Sequence, residues 1–185
     1  MNKILVLVDC QNDFITGSLA NKEAQIAVPR IVEKINNFDG DLIIATQDTH
    51  WNGYLNTPEG QKLPVEHCID GTKGWEIEPE INRALLDAAD RNIRITHISK
   101  NTFGSKTLME TLLTECGYID NVEPHRIEFA GFCTDICVVS NALLAKAAVY
   151  NTSEIFIDSS CCAGVTPELH EKALDVMRSC QINVY

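Results

Sequence analysis

Three residues with the chemistry for acyl transfer stand far apart in the 185-residue chain: Asp9, Lys100 and Cys137. Cys137 lies in Phe129-Ala130-Gly131-Phe132-Cys133-Thr134-Asp135-Ile136-Cys137-Val138-Val139, where an apolar run ends, turns through a glycine and enters an apolar-faced helix. A thiol in the first turn of a helix is a candidate nucleophile, and the positive helix end is expected to lower its pKa. It needs a partner that takes its proton and returns it to a leaving group. Asp9, closing the first apolar run, suits that role, and a lysine near both would favour thiolate and ionised carboxylate alike. The plainer reading has Asp9 capping a turn, Lys100 in solvent and Cys137 packed in a core.

A second group is Asp48-Thr49-His50 with His67 further along, and Glu59 between them as an additional oxygen donor. Carboxylate and imidazole suit Zn²⁺, Mn²⁺ or Fe²⁺, and three protein ligands with open positions mark a catalytic site rather than a structural one. The alternative is a pair of ordinary loop histidines. His97 reads as a core or surface residue of an alternating strand, and His125 and His170 read as exposed. Cys133 with Cys137, and Cys161 with Cys162, supply only half of a four-ligand zinc site. Cys133 is instead expected to contribute its backbone N–H and to line a pocket. A reversible Cys133–Cys137 disulfide is the redox alternative. Gly71 and Gly74 neither follow a clear strand nor open a clear helix, and a G-x-G-x-x-G run is absent, which argues against phosphate-loop and dinucleotide binding.

Alternating elements must bring these residues together. Residues 3–9 form an apolar run ending in Asp9, the pattern of a strand buried on both faces. Ala24, Ala27, Val28, Ile31, Val32 and Ile35 then recur at helical spacing, and 42–46 is a second strand. Residues 51–78 show neither period and read as a functional loop. A helix is predicted over 79–89, a strand over 93–99 with Lys100 just past its end, and a helix faced by Leu108, Leu112, Leu113 and Cys116. A strand follows over 126–130, a helix over 135–149, a strand over 154–158, a helix from Thr166-Pro167 to Cys180 and an edge strand over 182–184. This order predicts a three-layer α/β/α, Rossmann-like domain spanning 1–185, with a mostly parallel sheet of five or six strands. Ligands of such sheets bind beyond the carboxyl ends of the strands, where Asp9, Asp48, Lys100 and the approach to Cys137 all fall.

The net charge of −11 argues against nucleic acid or an anionic membrane surface as partner. No run approaches the roughly 20 apolar residues of a membrane span, and the first apolar run ends in an acid, unlike a secretion signal. A cytoplasmic setting is expected, with most of the eight cysteines acting as small buried hydrophobes.

The chain resembles the isochorismatase-like cysteine hydrolases, in particular their nicotinamidase/pyrazinamidase branch. The resemblance rests on Val8-Asp9-Cys10-Gln11-Asn12-Asp13-Phe14, Thr46-Gln47-Asp48-Thr49-His50, Pro64-Val65-Glu66-His67-Cys68, Lys100-Asn101-Thr102-Phe103 and the Gly131–Val138 segment, in order along nearly the whole chain. It implies a triad of Asp9, Lys100 and Cys137, and metal ligands Asp48, His50 and His67, with Glu59 as a further ligand in some members. It also implies a cis peptide at Phe132–Cys133, oxyanion donors from the N–H groups of Cys133 and Cys137, and pocket residues Phe14, Phe103, Phe132 and Cys133, with Gln11 supporting the loop. The implied activity is hydrolysis of a small amide, nicotinamide to nicotinate and ammonia with pyrazinamide as a second substrate, using a divalent metal of which zinc is the first choice. Another C–N hydrolase acting on a ureido, carbamoyl or other small amide is the alternative, and a binding protein that kept the fold is the non-enzyme one. The resemblance also implies a homo-oligomer, a dimer or tetramer. Phe103 departs from the tyrosine of one nicotinamidase type, and beyond Trp51 and Tyr54 the loop lacks the aromatic pattern of many nicotinamidases.

Overall fold

Six segments of the described residues become the strands β1 (Lys3–Val8), β2 (Leu42–Asp48), β3 (Arg94–Lys100), β4 (His125–Phe132), β5 (Ser153–Ala163) and β6 (Asn183–Val184). The structure, a computed structural model, describes residues 2–117, 124–149 and 153–185. The strands form one sheet in the order β3-β2-β1-β4-β5-β6, with every pairing parallel. The helices are α1 (Asn12–Ile15), α2 (Lys22–Asn36), α3 (Pro79–Asp90), α4 (Lys106–Cys116), α5 (Val139–Val149) and α6 (Pro167–Ser179). Among the described residues no helix is long and apolar enough to cross a membrane.

Strand parity explains the layers. Ile4, Val6 and Val8 of β1 enter one core with Leu108, Leu112, Ala142, Ala145, Leu174 and Met177, so α4, α5 and α6 cover that face. Leu5 and Leu7 enter the opposite core with Ile31, Ile35, Ile81 and Leu85 of α2 and α3. Each large side chain so buried contributes about 1.5–3 kcal/mol relative to exposure. Caps fix where several helices begin: the side chains of Asn21, Ser105 and Thr166 accept the backbone N–H of Ala24, Leu108 and Leu169. The expected α/β/α architecture is therefore present, with a sheet that is parallel throughout.

Three elements differ from the sequence reading. The strand expected over 154–158 continues to Ala163: Asp158, Ser159 and Ser160 interrupt the apolar run but bulge out of register between the pairs Phe129↔Ile157 and Gly131↔Cys162. The helix expected from 135 begins as a π-helical turn, Thr134–Val138, because the Val138 N–H reaches back to the Cys133 carbonyl at 3.0 Å; α5 follows it. Lys100 is the last residue of β3, paired with Asp48, rather than lying beyond the strand. Two histidine expectations also fail. His125 is buried, its Nε2 3.3 Å from Asn2 Nδ2. His170 is half-buried, its Nδ1 2.8 Å from the buried Thr134 hydroxyl, since its side of α6 packs on the π-helical turn.

In this strand order β1 and β4 are neighbours although α1, α2, β2, α3, β3 and α4 lie between them in the chain, and the crevice beyond their carboxyl ends is the switch point of the sheet. Gly131 makes the close fit there. Its φ is +122°, and a Cβ at this position would lie 2.1 Å from the Val8 carbonyl oxygen.

Candidate active site

Strand ends bring the first group together. Asp9 follows β1 in a left-handed conformation, φ 50°, and its Oδ1 accepts a hydrogen bond of 2.7 Å from the Thr46 hydroxyl at the end of β2. Lys100 extends from β3 with its Nζ 2.7 Å from Asp9 Oδ2, 3.6 Å from Cys137 Sγ and 3.8 Å from Asp48 Oδ1. All four of these side chains are buried. The Phe132–Cys133 peptide is cis.

The electrostatics of the thiol run against the sequence expectation. Burial pushes the Cys137 thiol well above its ordinary range; the Asp9 and Asp48 carboxylates add to the rise and Lys100 opposes it. Desolvation is the largest cause and the Asp9 carboxylate the next, so the direction is opposite to the one expected from a helix end. Burial also raises Asp9 against the opposing pull of Lys100, with Asp48 adding to the rise. Lys100 remains cationic: burial disfavours its charge, but Asp9, Cys137 and Asp48 more than compensate. Burial thus works against charge on both Cys137 and Asp9, and Lys100, between them, is the group that opposes it.

The second group converges as well. Asp48 Oδ2 lies 3.0 Å from His50 Nε2 and 3.4 Å from His67 Nε2, and the three ligand atoms fall within 4.8 Å of one another. Glu59 is more distant, 3.8 Å from His50 Nε2. The loop is fastened so that His67 can reach: the His50 N–H donates to the Cys68 carbonyl at 2.9 Å, and the Asp70 N–H donates to the His50 carbonyl at 2.8 Å. His67 Nδ1 donates to the Val65 carbonyl at 2.8 Å, which turns Nε2 and its lone pair toward Asp48. Burial raises Asp48, but His50, His67 and Lys100 outweigh it and hold the carboxyl below its ordinary range. Burial lowers His67, and the Asp48 contact reverses that into a rise. One carboxylate and two imidazoles, buried, convergent and with a partner-fixed tautomer, fit a divalent cation.

Both groups open into one cavity of about 780 Å³. Phe14, Phe103 and Cys133 line it, as do Asp48, Glu59, His67 and Cys137. Burial, reinforced by Asp135 and Asp9, pushes the Cys133 thiol up to about 12. Phe132 is not part of the lining. It shares strand parity with Ala130, is 1% exposed, and packs in the α2–α3 core with Leu7 and Ala163. Gln11 supports Asp48 from both sides, accepting its N–H at 2.7 Å and donating to its carbonyl at 2.8 Å and to Trp75 O at 2.8 Å.

Sequence reasoning missed Thr46 and Asn141. The pairing of Val8 with Thr46 at the ends of β1 and β2 was the signal for the first. Asn141 is a polar residue on the apolar face of α5, one helical turn after Cys137, and it is fully buried. Its Nδ2 donates to the carbonyls of Cys137 (2.8 Å) and Phe103 (3.0 Å), and its Oδ1 accepts the Ser105 N–H (2.9 Å).

A doubly wound parallel sheet carrying a thiol, a carboxylate and an ammonium at its switch point, beside an Asp-His-His group, defines the class. The chain belongs to the isochorismatase family: the family model for the isochorismatase domain matches residues 3–185. It is 24% identical to the nicotinamidase/pyrazinamidase of Mycobacterium tuberculosis, over 98% of this chain and 97% of that protein. It also superposes on the crystal structure of nicotinamidase/pyrazinamidase PncA from Bacillus subtilis with a TM-score of 0.81 and 26% identity, covering 100% and 99% of the two chains. The pyrazinamidase of Pyrococcus horikoshii, whose crystal structure is a complex with zinc, superposes at 0.75 with 25% identity over 100% and 99%.

Proposed function

We propose that this protein is a metal-containing cysteine amidohydrolase that converts nicotinamide to nicotinate and ammonia and also accepts pyrazinamide. The observation that carries the reading is that Lys100 bridges Asp9 and Cys137 while Asp48, His50 and His67 converge alongside, with Cys137, Asp48 and His67 lining one cavity. The relatives named above support the choice of amide.

In this reading Cys137 Sγ attacks the amide carbonyl carbon as its proton passes to Asp9. The oxyanion is held by the backbone N–H groups of Cys133 and Cys137. Asp9 then gives the proton to the departing nitrogen, so ammonia leaves and a thioester remains on Cys137. Asp9 next takes a proton from a water that attacks the thioester, and the carboxylic acid leaves as the thiol is restored. Lys100 keeps Asp9 ionised between these transfers. Asp48, His50 and His67, with Glu59 near them, would hold a divalent ion, Zn²⁺ by its preference for this donor set, which supplies a Lewis-acid contact for a ring nitrogen. Phe14, Phe103 and the Cys133 side chain flank the ring.

The charge of the lining supports a neutral substrate. Ureido and carbamoyl acids carry a carboxylate, and the cation that the lining offers one is Lys62, exposed at the rim in the same turn as Glu59. The reading has the chain acting as one domain over 1–185, in the cytoplasm, as a dimer or tetramer on a small molecule; family resemblance and the net charge of −11 support it. Ammonia release is the test, measured from nicotinamide, pyrazinamide and a panel of ureido and carbamoyl acids. Turnover of both ring amides is expected; turnover of the acids with none of nicotinamide overturns the assignment.

A further inference from the structure

The cavity above Cys137 exceeds what a single-ring amide fills. Its volume of about 780 Å³ lies in the range that houses drug-sized ligands. Cys137, Cys133, Asp48 and His67 occupy its inner part, and the outer wall is Leu19, Leu63, Phe103, Ile136 and Val165. These five side chains arrive from five separate segments of the chain: the loop before α2, the irregular stretch after β2, the loop after β3, the π-helical turn and the connection from β5 to α6. Three of them stand in solvent, Val165 at 50%, Phe103 at 48% and Leu63 at 38% exposure. Single exposed apolar side chains are ordinary, but three around one mouth mark a surface that something covers.

The rim is also held in place. The Val165 N–H donates to Asp135 Oδ1 at 2.9 Å, and Asn21 Nδ2 donates to the neighbouring Gly164 carbonyl at 2.7 Å. Asn141 ties down the Phe103 carbonyl, and the Tyr54 hydroxyl donates to the Leu63 carbonyl at 3.1 Å. Such tethers describe a preformed apolar wall, continuous with the thiol site and with its charged rim groups, Glu59 and Lys62, confined to one segment.

We propose that this wall is a subsite for an apolar substituent, so that the preferred substrates are ring amides bearing an alkyl or aryl group meta to both the amide and the ring nitrogen. The proposal rests on the amidohydrolase reading and specifies its substrate class. A ring seated against Cys137 and beside Phe103 would leave Leu63 and Val165 wet, whereas an alkyl or aryl extension running past Phe103 would dry them together.

The test uses the full chain with its metal and measures ammonia release from nicotinamide and its 5-methyl, 5-propyl and 5-phenyl derivatives. The expected result is a rise in kcat/KM of about 10-fold from nicotinamide to the 5-propyl compound, at the low end for methylenes entering an apolar pocket because the wall is half-exposed. Val165→Asp and, separately, Leu63→Ser should return the ratio of propyl to parent compound toward one. A flat or falling series with nicotinamide itself turned over overturns the subsite and leaves the amidohydrolase reading standing. No release from any of the four overturns both. A second copy of the chain is the competing occupant: if Val165→Asp lowers the mass measured by light scattering and leaves the substrate ratio unchanged, the wall is an oligomer contact and the subsite is refuted.

Discussion

Lys100 is the residue on which the charge balance of the site turns. With its ammonium 2.7 Å from Asp9 and 3.8 Å from Asp48, its loss would leave two buried carboxylates facing each other. Lys100→Met is therefore expected to destabilise the fold by roughly 3–5 kcal/mol, the cost of breaking a buried pair, read as a shift of the urea midpoint. Cys137→Ala should lower kcat by about 10⁴-fold or more, as removal of a nucleophile does, with the melting temperature close to that of the parent. The protonated state of the thiol has its own readout. Iodoacetamide at neutral pH should label exposed Cys180 well before Cys137, followed by peptide mass spectrometry; faster labelling of Cys137 would contradict a thiol that burial and Asp9 keep protonated. At this scale the sequence told which residues meet. It misjudged the sign of the Cys137 shift, because the helix-end effect is legible in a motif and desolvation is not.

The elements that carry these residues have little slack where β1 meets β4. Gly131→Ala would need a Cβ 2.1 Å from the Val8 carbonyl oxygen at a φ of +122°, so loss of soluble folded protein is the expected outcome, read by expression and circular dichroism. Asn141→Ala is milder. It strips partners from the Ser105 N–H and the Phe103 carbonyl, both beside the site, and is expected to cost about 1–3 kcal/mol in urea and to raise KM as Phe103 loosens. Strands β1 and β2 were legible because each is largely an apolar run buried on both faces, and β4 because Ile127 and Phe129 alternate with Arg126 and Glu128 before it closes on Ala130-Gly131-Phe132. The second half of β5 was not, since Asp158, Ser159 and Ser160 look like a turn until Asp158 is seen paired with Lys34 at 2.7 Å and Ser160 bonded to Asp158. The π-helical turn was invisible for a different reason: two hydrogen bonds, from the N–H of Val138 to the Cys133 carbonyl and from that of Val139 to the Thr134 carbonyl, set it apart from an α-helical start.

Across the whole molecule, charge is managed at both ends of β1. Asp9 closes the strand at the active site; at its start a second cavity, of about 760 Å³, is lined by Lys3, Arg30, Lys34, Arg126, Glu128 and Asp158. Lys34 pairs there with both Glu128 and Asp158. Burial raises the Asp158 carboxyl, but hydrogen bonds from Lys34 and Ser160 outweigh it and hold it below its ordinary 3.8. A carboxyl lowered in the folded state stabilises fully above its unfolded pKa, and that contribution fades as pH falls through the folded value. Lys34→Met should thus cost about 2 kcal/mol at pH 7, and the gap from the parent in urea should close as the pH drops below 3.8. At the other end, removal of divalent ions by a chelator is expected to lower the melting temperature and abolish turnover, with both restored by added Zn²⁺.

The clasp between His50 and residues 68–70 has an evolutionary consequence. Because the His50 N–H and carbonyl close the segment at its two ends, and Asp13 accepts the Cys68 N–H at 2.7 Å, the stretch from 51 to 66 begins and ends on fixed points of the scaffold. Lengthening such a segment costs little, since closure entropy grows only with the logarithm of its length. Glu59, Lys62 and Leu63 all lie on it, whereas Asp9, Lys100 and Cys137 do not. Insertions, deletions and wholesale replacement within 51–66 can therefore change what the cavity admits while Asp9, Lys100 and Cys137 stay as they are, making this segment the cassette through which a lineage of such proteins would diversify.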